Sequence, residues 1–412
     1  MMLIRTSVAL ALIAPPWSEP ETVSSPHRFV DAPRVTFGAS GRALAAWTWQ
    51  DGGAAGTDVA SRPPGAAAFG RERRLARGVV AGPVAYGRSR AVVVTLDGRR
   101  IAARFGSTTG RFGRTRTIAS RANVQGLGLA AGADGTAAAT WLENRRRVVV
   151  SLRRPGGRFG APRTLATRSV RRVAVAVGAR GHVLVTWTDS RGRLHARFKA
   201  PGRPFGPDDR LTARPAFGAE LRPAVGPGGR ALIGVGSQFR SEGGEVGTAR
   251  FQVAVRPRGA RRFDAARLLE SRRRGQVEQP LAVIPAIAGN QLAVAWTGFD
   301  GTHLRARVAK GVSQPPADVS PPGTDAWLGD LAAHTDGTAL AVWTAGTGDE
   351  LAGQIQASVA PPARPFGPPE PISVDGEARI PSAAFDPTTG IPTVIWSHRP
   401  GTVAQASQRS LR

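Results

Sequence analysis

Arginine provides the clearest chemical signal in this sequence. The 412 residues include 56 Lys and Arg against 29 Asp and Glu, which gives a formal net charge of +27, and only Lys199 and Lys310 are lysines. Guanidinium groups that are clustered in loops bind carboxylate, sulfate or phosphate groups through paired hydrogen bonds. The charge as a whole favours association with polyanions. The clusters that would form an anion-binding surface are Arg99 and Arg100; Arg145, Arg146 and Arg147; Arg168, Arg171 and Arg172; Arg191 and Arg193; and Arg272, Arg273 and Arg274.

A second arginine set leaves an alternative open. In the repeat pattern described below, this set falls in loops on the opposite side of the fold. A globally basic, solvated surface would explain both sets as well as a specific anion site does. The members of the second set are Arg111, Arg114, Arg153, Arg154, Arg158, Arg258, Arg261 and Arg262.

Catalytic chemistry has weaker support in the sequence. The chain has no Cys, which excludes disulfides, thiolate metal sites and cysteine nucleophiles. The six His residues lack the paired spacing of a metal motif, and His195 and His303 are interpreted as solvated strand residues. We therefore expect no cofactor and no bound metal. Paired carboxylates for glycoside hydrolysis would come from Asp325, Asp330, Asp349 and Glu350.

A repeated phrase indicates which elements position these side chains. A turn precedes a run of small apolar residues that ends in Trp, as in GRALAAW and GTALAVW. Degenerate copies end at Thr95 and Val235. Successive anchors lie 46 to 61 residues apart, so the chain contains eight repeats. The Trp anchors are Trp47, Trp141, Trp187, Trp296, Trp343 and Trp396.

Each repeat predicts four short strands. An apolar stretch, often opened by Pro, precedes the anchor run, and a Phe-Gly phrase follows it at Phe69, Phe112, Phe159, Phe205 and Phe366. No segment has a sustained helical period, so helices should be few. Four-stranded units of about 40 to 50 residues are typical of propeller blades. The expected fold class is all-β: an eight-bladed β-propeller, or a seven-bladed one if the fifth repeat is only an insertion.

The repeats fill one predicted domain, residues 17–412. The last repeat supplies only three strands, and residues 19–24 resemble the fourth strand of the repeat before it. We expect this N-terminal strand to complete the last blade and remove two exposed sheet edges. The predicted repeats are residues 26–77, 78–120, 121–167, 168–213, 214–271, 272–322, 323–374 and 375–412.

The first residues predict export. Residues 1–16 resemble a secretory signal peptide, with one Arg before a short apolar run. That run is shorter than the roughly 20 apolar residues that span a bilayer, and no later segment reaches that length. We therefore expect a secreted or cell-envelope protein without a membrane span.

The repeats resemble the broad sialidase-like and WD40-like propeller superfamilies, and they look most like exported bacterial propellers of unassigned function. A sialidase would carry Asp boxes and a Tyr nucleophile. Residues 188–192 have the wrong spacing for an Asp box, and Tyr86, the only Tyr, lies in an apolar strand and is interpreted as a core residue. In propellers, the loops between second and third strands share one face with the connections between blades, and the arginine clusters lie in these loops.

Two functional hypotheses follow. The first is a non-catalytic, monomeric binding scaffold for a protein partner or an anionic polymer such as cell-envelope glycan. Nucleic acid would bind only non-specifically, because the few aromatic residues belong to blade cores rather than to loops where bases stack. The alternative is a divergent propeller-type glycoside hydrolase or lyase, which needs two carboxylates at the mouth of the central channel.

Overall fold

The protein is an eight-bladed β-propeller. Its computed structural model describes residues 17–77, 79–121, 123–167, 169–212, 217–240, 246–273, 282–346, 352–374, 376–399 and 403–409. They form eight four-stranded antiparallel sheets in a ring, as the repeats predict. The seven-bladed alternative is wrong, because the degenerate fifth repeat forms a complete blade.

The strands of the first four blades follow the chain from the channel outwards. Blade 1 contains β2 (Phe29–Phe37), β3 (Ala43–Asp51), β4 (Ala54–Arg62) and β5 (Arg73–Arg77). Blade 2 contains β6 (Val79–Tyr86), β7 (Arg90–Asp97), β8 (Arg100–Ser107) and β9 (Arg116–Ser120). Blade 3 contains β10 (Val124–Ala131), β11 (Ala137–Glu143), β12 (Arg147–Arg153) and β13 (Arg163–Ala166). Blade 4 contains β14 (Val170–Val177), β15 (Val183–Asp189), β16 (Leu194–Lys199) and β17 (Asp209–Arg210).

The other four blades repeat this order. Blade 5 contains β18 (Phe217–Val225), β19 (Ala231–Arg240), β20 (Val246–Arg256) and β21 (Arg267–Arg273). Blade 6 contains β22 (Val283–Ala288), β23 (Gln291–Phe299), β24 (Leu304–Lys310) and β25 (Ala317–Asp318). Blade 7 contains β26 (Asp325–Ala333), β27 (Ala339–Gly346), β28 (Gln354–Ala360) and β29 (Glu370–Pro371). Blade 8 contains β30 (Ala378–Phe385), β31 (Pro392–His398), β32 (Val403–Gln408) and β1 (Glu21–Thr22).

The N-terminal strand closes the ring, as the sequence predicts. Strand β1 pairs with β32 through Glu21 opposite Ala406 and Thr22 opposite Gln405, and the Val23 N–H donates to the Ala404 carbonyl at 2.8 Å. The predicted signal peptide, residues 1–16, lies outside the described residues. Among the described residues, no helix combines the length and apolar character that a membrane crossing requires.

The second strands form the core between blades. Each has sheet partners on both edges and neighbouring blades on both faces, so nearly every side chain along it is buried. Trp47, for example, lies in one apolar cluster with Ile395, Ala404 and Ala406 of blade 8. The many Ala residues beside the anchors allow the blades to approach closely. Each Trp anchor has at most 2% of its own surface exposed; the anchors are Trp47, Trp141, Trp187, Trp296, Trp343 and Trp396.

The Phe-Gly phrase secures the connection from the third to the fourth strand. In each of five blades, its glycine N–H donates to a carbonyl of the third strand at 2.8 to 2.9 Å. The donors and acceptors are Gly70 to Ser61, Gly113 to Phe105, Gly160 to Leu152, Gly206 to Phe198 and Gly367 to Val359.

Strand direction defines two faces of the ring. Because successive strands are antiparallel, the loops between second and third strands lie on the same face as the connections between blades. We call this the upper face. The first strand of each blade begins at the upper face and lies at the inner edge, so the eight first strands surround the central channel.

Candidate functional site

Three of the predicted arginine clusters lie at the upper face, in or beside the loops between second and third strands of blades 2, 3 and 4. They are distributed over three blades and form an extended basic surface. Two arginines of these clusters have local hydrogen-bond partners: Arg100 donates to Thr117 at 2.8 Å, and Arg145 donates to Gln125 at 3.0 Å. The exposed members are Arg99, Arg100, Arg145, Arg146, Arg147 and Arg191, whereas Arg193 is half-buried.

The remaining predicted arginines are not loop residues where the structure describes them. Arg171 and Arg172 are exposed but belong to β14. Arg168, Arg274 and the side chain of Arg273 lie outside the described residues.

Arg272 is a correction to the sequence analysis, because it is buried in β21 and only 4% exposed. Its Nε lies 2.6 Å from Oε1 of Glu270, and its guanidinium stacks 4.7 Å from the Phe251 ring centroid. Another nitrogen donates to the Thr297 carbonyl of blade 6. Pairing of β21 with β20 places Arg272 opposite Ala249. The Arg272 side chain points into the interface between blades 5 and 6. Arg272 is therefore a structural residue.

Glu270 is held by donors from both blades. The Trp296 indole donates to Oε2 at 2.6 Å, and Arg307 lies 3.0 Å from the same oxygen. Burial alone would raise the pKa of the Glu270 carboxyl, but Arg272, the indole hydrogen bond and Arg307 together lower it below its usual value. The carboxylate therefore stays ionised and joins blade 5 to blade 6.

Other buried arginines end third strands near the face opposite the upper face. Arg153, which the sequence analysis assigned to a loop, is 3% exposed at the end of β12 and stacks 4.9 Å from the Tyr86 ring centroid. Arg256 ends β20 in the same way, 3.7 Å from the Phe198 ring centroid. Part of the positive charge is thus structural and stabilised by stacking on aromatic rings.

The central channel contains a cavity of about 480 Å³. Its walls are first-strand residues of blades 1 to 5, together with Ala46, Trp47 and Thr48 of β3 and Thr57 of β4. Most of the wall is small or apolar. Arg34 of blade 1 and Arg222 of blade 5 are the charged side chains that line it.

Arg34 and Arg222 occupy the same position in their blades. Arg34 pairs with Ala46, one residue before the anchor Trp47, and Arg222 pairs with Gly234, one residue before the anchor Val235. Blades 1 and 5 are opposite each other in a ring of eight. In blade order, the residues at this register position, which we call the channel ring, are Arg34, Ala81, Gly128, Ala174, Arg222, Ile284, Asp330 and Ser382.

The charges of this ring are only partly balanced. Within the described residues, neither Arg34 nor Arg222 makes a hydrogen bond or an ion pair. Desolvation by the surrounding blades and, after it, repulsion from Arg222 lower the pKa of Arg34, while attraction to Asp330 raises it. Asp330 Oδ2 already accepts hydrogen bonds from Ala383 N at 3.0 Å and Ser382 Oγ at 3.2 Å. The channel therefore has an excess of positive charge.

Bulges in the first strands position these side chains. The pairing register shifts between Asp31 and Arg34 in blade 1 and between Leu328 and Asp330 in blade 7. Ala32 takes a φ of 47° at the first of these bulges. Bulges bend a strand and redirect its side chains, and they are common near binding sites. An Arg next to Pro inside an apolar first strand, as in Pro33-Arg34 and Arg222-Pro223, was the sequence signal for this site, and sequence reasoning missed it.

A groove of about 800 Å³ on the upper face adjoins the channel. Thr48 and Val80 line both spaces, so the two are continuous. The groove exposes two large apolar side chains, Phe29 at 48% and Ile380 at 42%. Arg379, Arg399 and the acidic Asp31 also line it. An apolar floor beside two arginines and one aspartate is suited to an amphipathic ligand.

No protein-family model and no curated protein matches this chain. Its fold is similar to that of the BP39L lectin from Burkholderia pseudomallei, with 15% identity, a TM-score of 0.55, and coverage of 84% of this chain and 100% of the lectin. A protein of unknown function from Dyadobacter fermentans has 11% identity, a TM-score of 0.44 and coverage of 97% and 100%. A Hadza microbial sialidase has 11% identity, a TM-score of 0.37 and coverage of 75% and 74%. At 15% identity, the similarity to the lectin concerns the fold alone.

The candidate catalytic carboxylates do not form a pair in the described residues. Asp325 accepts a hydrogen bond from Leu304 N at 2.7 Å and so fastens blade 7 to blade 6. Asp330 belongs to the channel ring, five residues further along the same strand. Asp349 and Glu350 lie outside the described residues.

His195 and Tyr86 are buried residues. Tyr86 is 6% exposed, as its apolar strand predicts. The interpretation of His195 as solvated is wrong, because it is 5% exposed and stacks on Trp187 with ring centroids 5.5 Å apart. Its ring nitrogens lie 3.1 Å from Asp208 and 3.5 Å from Asp189. His195 thus has an acidic partner on each side.

Proposed function

We propose that this protein is a non-catalytic binding propeller that holds the acidic group of an anionic ligand in its central channel. The carboxylate or sulfate groups of an anionic polymer, such as a cell-envelope glycan, have the required chemistry. The observation that carries this proposal is the pair Arg34 and Arg222, which line one cavity from opposite blades and make no hydrogen bond or ion pair within the described residues.

Charged hydrogen bonds supply the binding energy. A guanidinium binds a carboxylate through two parallel hydrogen bonds, and hydrogen bonds to charged groups contribute about 1.5 to 3 kcal/mol each. Arg34 and Arg222 are both exposed within the channel, so an anion can reach them. A cavity of about 480 Å³ falls within the range of roughly 300 to 1,000 Å³ that is usual for small-ligand sites.

The groove supplies the second half of the proposed site. A polymer whose acidic unit occupies the channel would place its next unit over Phe29 and Ile380, beside Arg379. Apolar side chains pack against the C–H faces of sugar rings, while arginine pairs with their acidic substituents. The similarity to a lectin supports only the point that this architecture accommodates glycan-binding sites.

The proposed setting is extracellular. Export through residues 1–16 and a monomeric state are parts of the proposal that separate measurements test. Signal cleavage is checked by N-terminal sequencing of protein recovered from the medium or envelope, and the oligomeric state by light scattering. An intact leader on intracellular protein would contradict export.

Calorimetric titration with carboxylated and sulfated glycans tests the proposed site. Arg34→Met and Arg222→Met should each weaken binding at least tenfold, because each removes charged hydrogen bonds. Arg146→Met is the matched control, since it removes the same charge from an exposed upper-face loop, and it should change affinity less than about twofold. Affinity should also fall with added salt. Equal losses in all three variants would show diffuse surface binding and contradict a channel site.

The same titration tests the alternative of a glycoside hydrolase or lyase. Each binding mixture is assayed for released reducing sugar or unsaturated product. Binding without product supports the scaffold. Product that disappears in Asp330→Asn and persists in Arg146→Met would overturn the non-catalytic assignment and place the chemistry in the channel.

A further inference from the structure

The outer part of blade 1 contains a cluster of metal-ligating side chains. A ring nitrogen of His27 and one carboxylate oxygen each from Asp58 and Glu72 all lie within 4.8 Å of one another. His27 lies in the connection from β1 to β2, Asp58 in β4, and Glu72 immediately before β5. We call these three residues the rim cluster. The rim cluster is separate from the channel, and its chemistry does not depend on the function proposed for the channel.

His27 has one nitrogen engaged and one unpartnered. Its Nδ1 lies 2.7 Å from Oδ2 of Asp51, and the ring stacks on Trp49 with centroids 4.8 Å apart. The side chain is only 10% exposed. Its Nε2 is buried and has no hydrogen-bond partner among the described residues.

Asp51 determines which nitrogen of His27 carries the proton. Its Oδ1 accepts a hydrogen bond from Arg28 N at 2.7 Å. An ionised carboxylate accepts the Nδ1 proton, which leaves the Nε2 lone pair free. Metal-ligating histidines almost always have such a partner on the other ring nitrogen.

The two carboxylates of the rim cluster are also held in place. Asp58 is 3% exposed, and its Oδ1 lies 2.6 Å from Nε of Arg74. Glu72 accepts hydrogen bonds from the backbone N–H of Ser25 at 3.1 Å and from its hydroxyl. The carboxylates of Asp51, Asp58 and Glu72 carry three negative charges and Arg74 carries one positive charge, so these four side chains have a net charge of −2. The rim cluster is thus locally acidic in a protein whose net charge is +27.

We infer that the rim cluster is a binding site for a divalent transition-metal ion of the zinc class. The ligands are Nε2 of His27 and one oxygen each from Asp58 and Glu72, and the fourth position is left to water. One imidazole and two carboxylates suit zinc rather than calcium or magnesium, which prefer oxygen ligands alone. Tetrahedral zinc with bonds of about 2.0 to 2.2 Å requires ligand atoms about 3.3 Å apart. The ligand atoms, which lie within 4.8 Å of one another, would approach one another by up to about 1.5 Å when the ion binds.

A protonated His27 is the competing explanation for the cluster. In that state Nε2 would carry a proton and donate it to Asp58 or Glu72. Nε2 has no hydrogen-bond partner among the described residues, and a ring nitrogen of His27 lies within 4.8 Å of both carboxylates. Zn²⁺ binding that is lost in His27→Gln distinguishes a metal site from this explanation.

Blade 4 offers a matched comparison. Asp58 and His195 occupy the same register position, opposite Trp47 and Trp187. His195 is flanked by Asp208 and Asp189, one at each ring nitrogen. Nε2 of His195 also lacks a hydrogen bond, but its acidic neighbours lie on different ring nitrogens, Asp189 at Nε2 and Asp208 at Nδ1. Among the described residues, no second carboxylate completes a metal-ligating group there, so His195→Gln serves as the control for His27→Gln.

The test is a titration of the full chain with Zn²⁺ alone, after treatment with a chelator. We expect one ion per chain, a rise in melting temperature with added Zn²⁺, and affinity that weakens in acid, because protons compete with the ion for its ligands. His27→Gln should weaken this binding at least 100-fold, and Asp51→Asn about 10- to 100-fold. His195→Gln should bind like the unaltered protein.

Cobalt provides an independent readout if His27→Gln folds poorly. Co²⁺ in the unaltered protein should give the visible absorption of tetrahedral coordination, and Asp51→Asn should reduce it at a given Co²⁺ concentration. The inference is overturned if the unaltered protein binds no Zn²⁺, or if binding survives in a folded His27→Gln. Equal loss in His195→Gln would also overturn it.

Discussion

Arg34 in the channel and Arg272 in the outer strand of blade 5 show two opposite environments for the same side chain. Arg272 is 4% exposed and has an acidic partner 2.6 Å away, an aromatic ring and a carbonyl of the next blade. Arg34 is surrounded by the ring of blades and faces a second cation, Arg222, across the cavity. One arginine stabilises the contact between blades, and the other is available to a ligand.

The difference shows why clustering of arginines in the sequence does not by itself separate structural arginines from arginines that are accessible to a ligand. Arg272, Arg153 and Arg256 are buried against backbone carbonyls and aromatic rings, so for these three arginines burial and pairing occur together. Each residue of the channel ring faces the residues that occupy the same register position in the other blades. Their partners depend on which residues those blades carry, and in this chain two of the eight positions carry Arg and one carries Asp.

The largest expected effect is a difference in the free energy of unfolding between variants of Arg272 and Arg34. Arg272→Met leaves Glu270 buried with less compensation and should lower the free energy of unfolding by about 3 kcal/mol. Arg34→Met removes no pairing and should change it by less than about 0.5 kcal/mol. Urea denaturation followed by tryptophan fluorescence measures both. Equal losses would mean that the channel arginine is structural too.

A smaller effect should appear in the pH dependence of stability. The pKa of Glu270 is lowered in the folded protein, so its contribution is complete above the ordinary Glu pKa of about 4.3. That contribution is lost as the pH falls through the lower, folded-state value. The unaltered protein should therefore be more stable than Glu270→Gln at pH 7, and the difference should narrow in acid. Denaturation at a series of pH values checks this, and a constant difference would contradict the role of the Glu270 charge.

The smallest expected effect concerns the balance of charge in the channel. Asp330→Asn removes the carboxylate that offsets Arg34 and retains an oxygen that can accept from Ser382 and Ala383. Anion affinity should rise about twofold, which corresponds to roughly 0.5 kcal/mol of screened repulsion. The measurement is the same glycan titration, with Asp325→Asn as the control outside the channel ring. Weaker binding in Asp330→Asn would instead assign Asp330 to the ligand contacts.

Much of the architecture was readable because propeller contacts are local in sequence. Each Trp anchor identified a second strand, and the Phe-Gly phrase identified the connection that follows the third strand. The resemblance between residues 19–24 and an earlier fourth strand predicted how the ring closes. Strand pairing within one blade involves neighbours in the chain, so its pattern is expressed in every repeat.

The sites depend on contacts between distant blades, and these contacts leave no local pattern. The sequence determined the eight blades, their strands and the burial of Tyr86. Only the tertiary structure decided that Arg34 and Arg222 line one cavity, that Arg272 is neutralised by Glu270, and that His27 lies beside Asp58 and Glu72. The physical reason is that ring closure and first-strand bulges determine which side chains meet, and both are properties of the assembled ring.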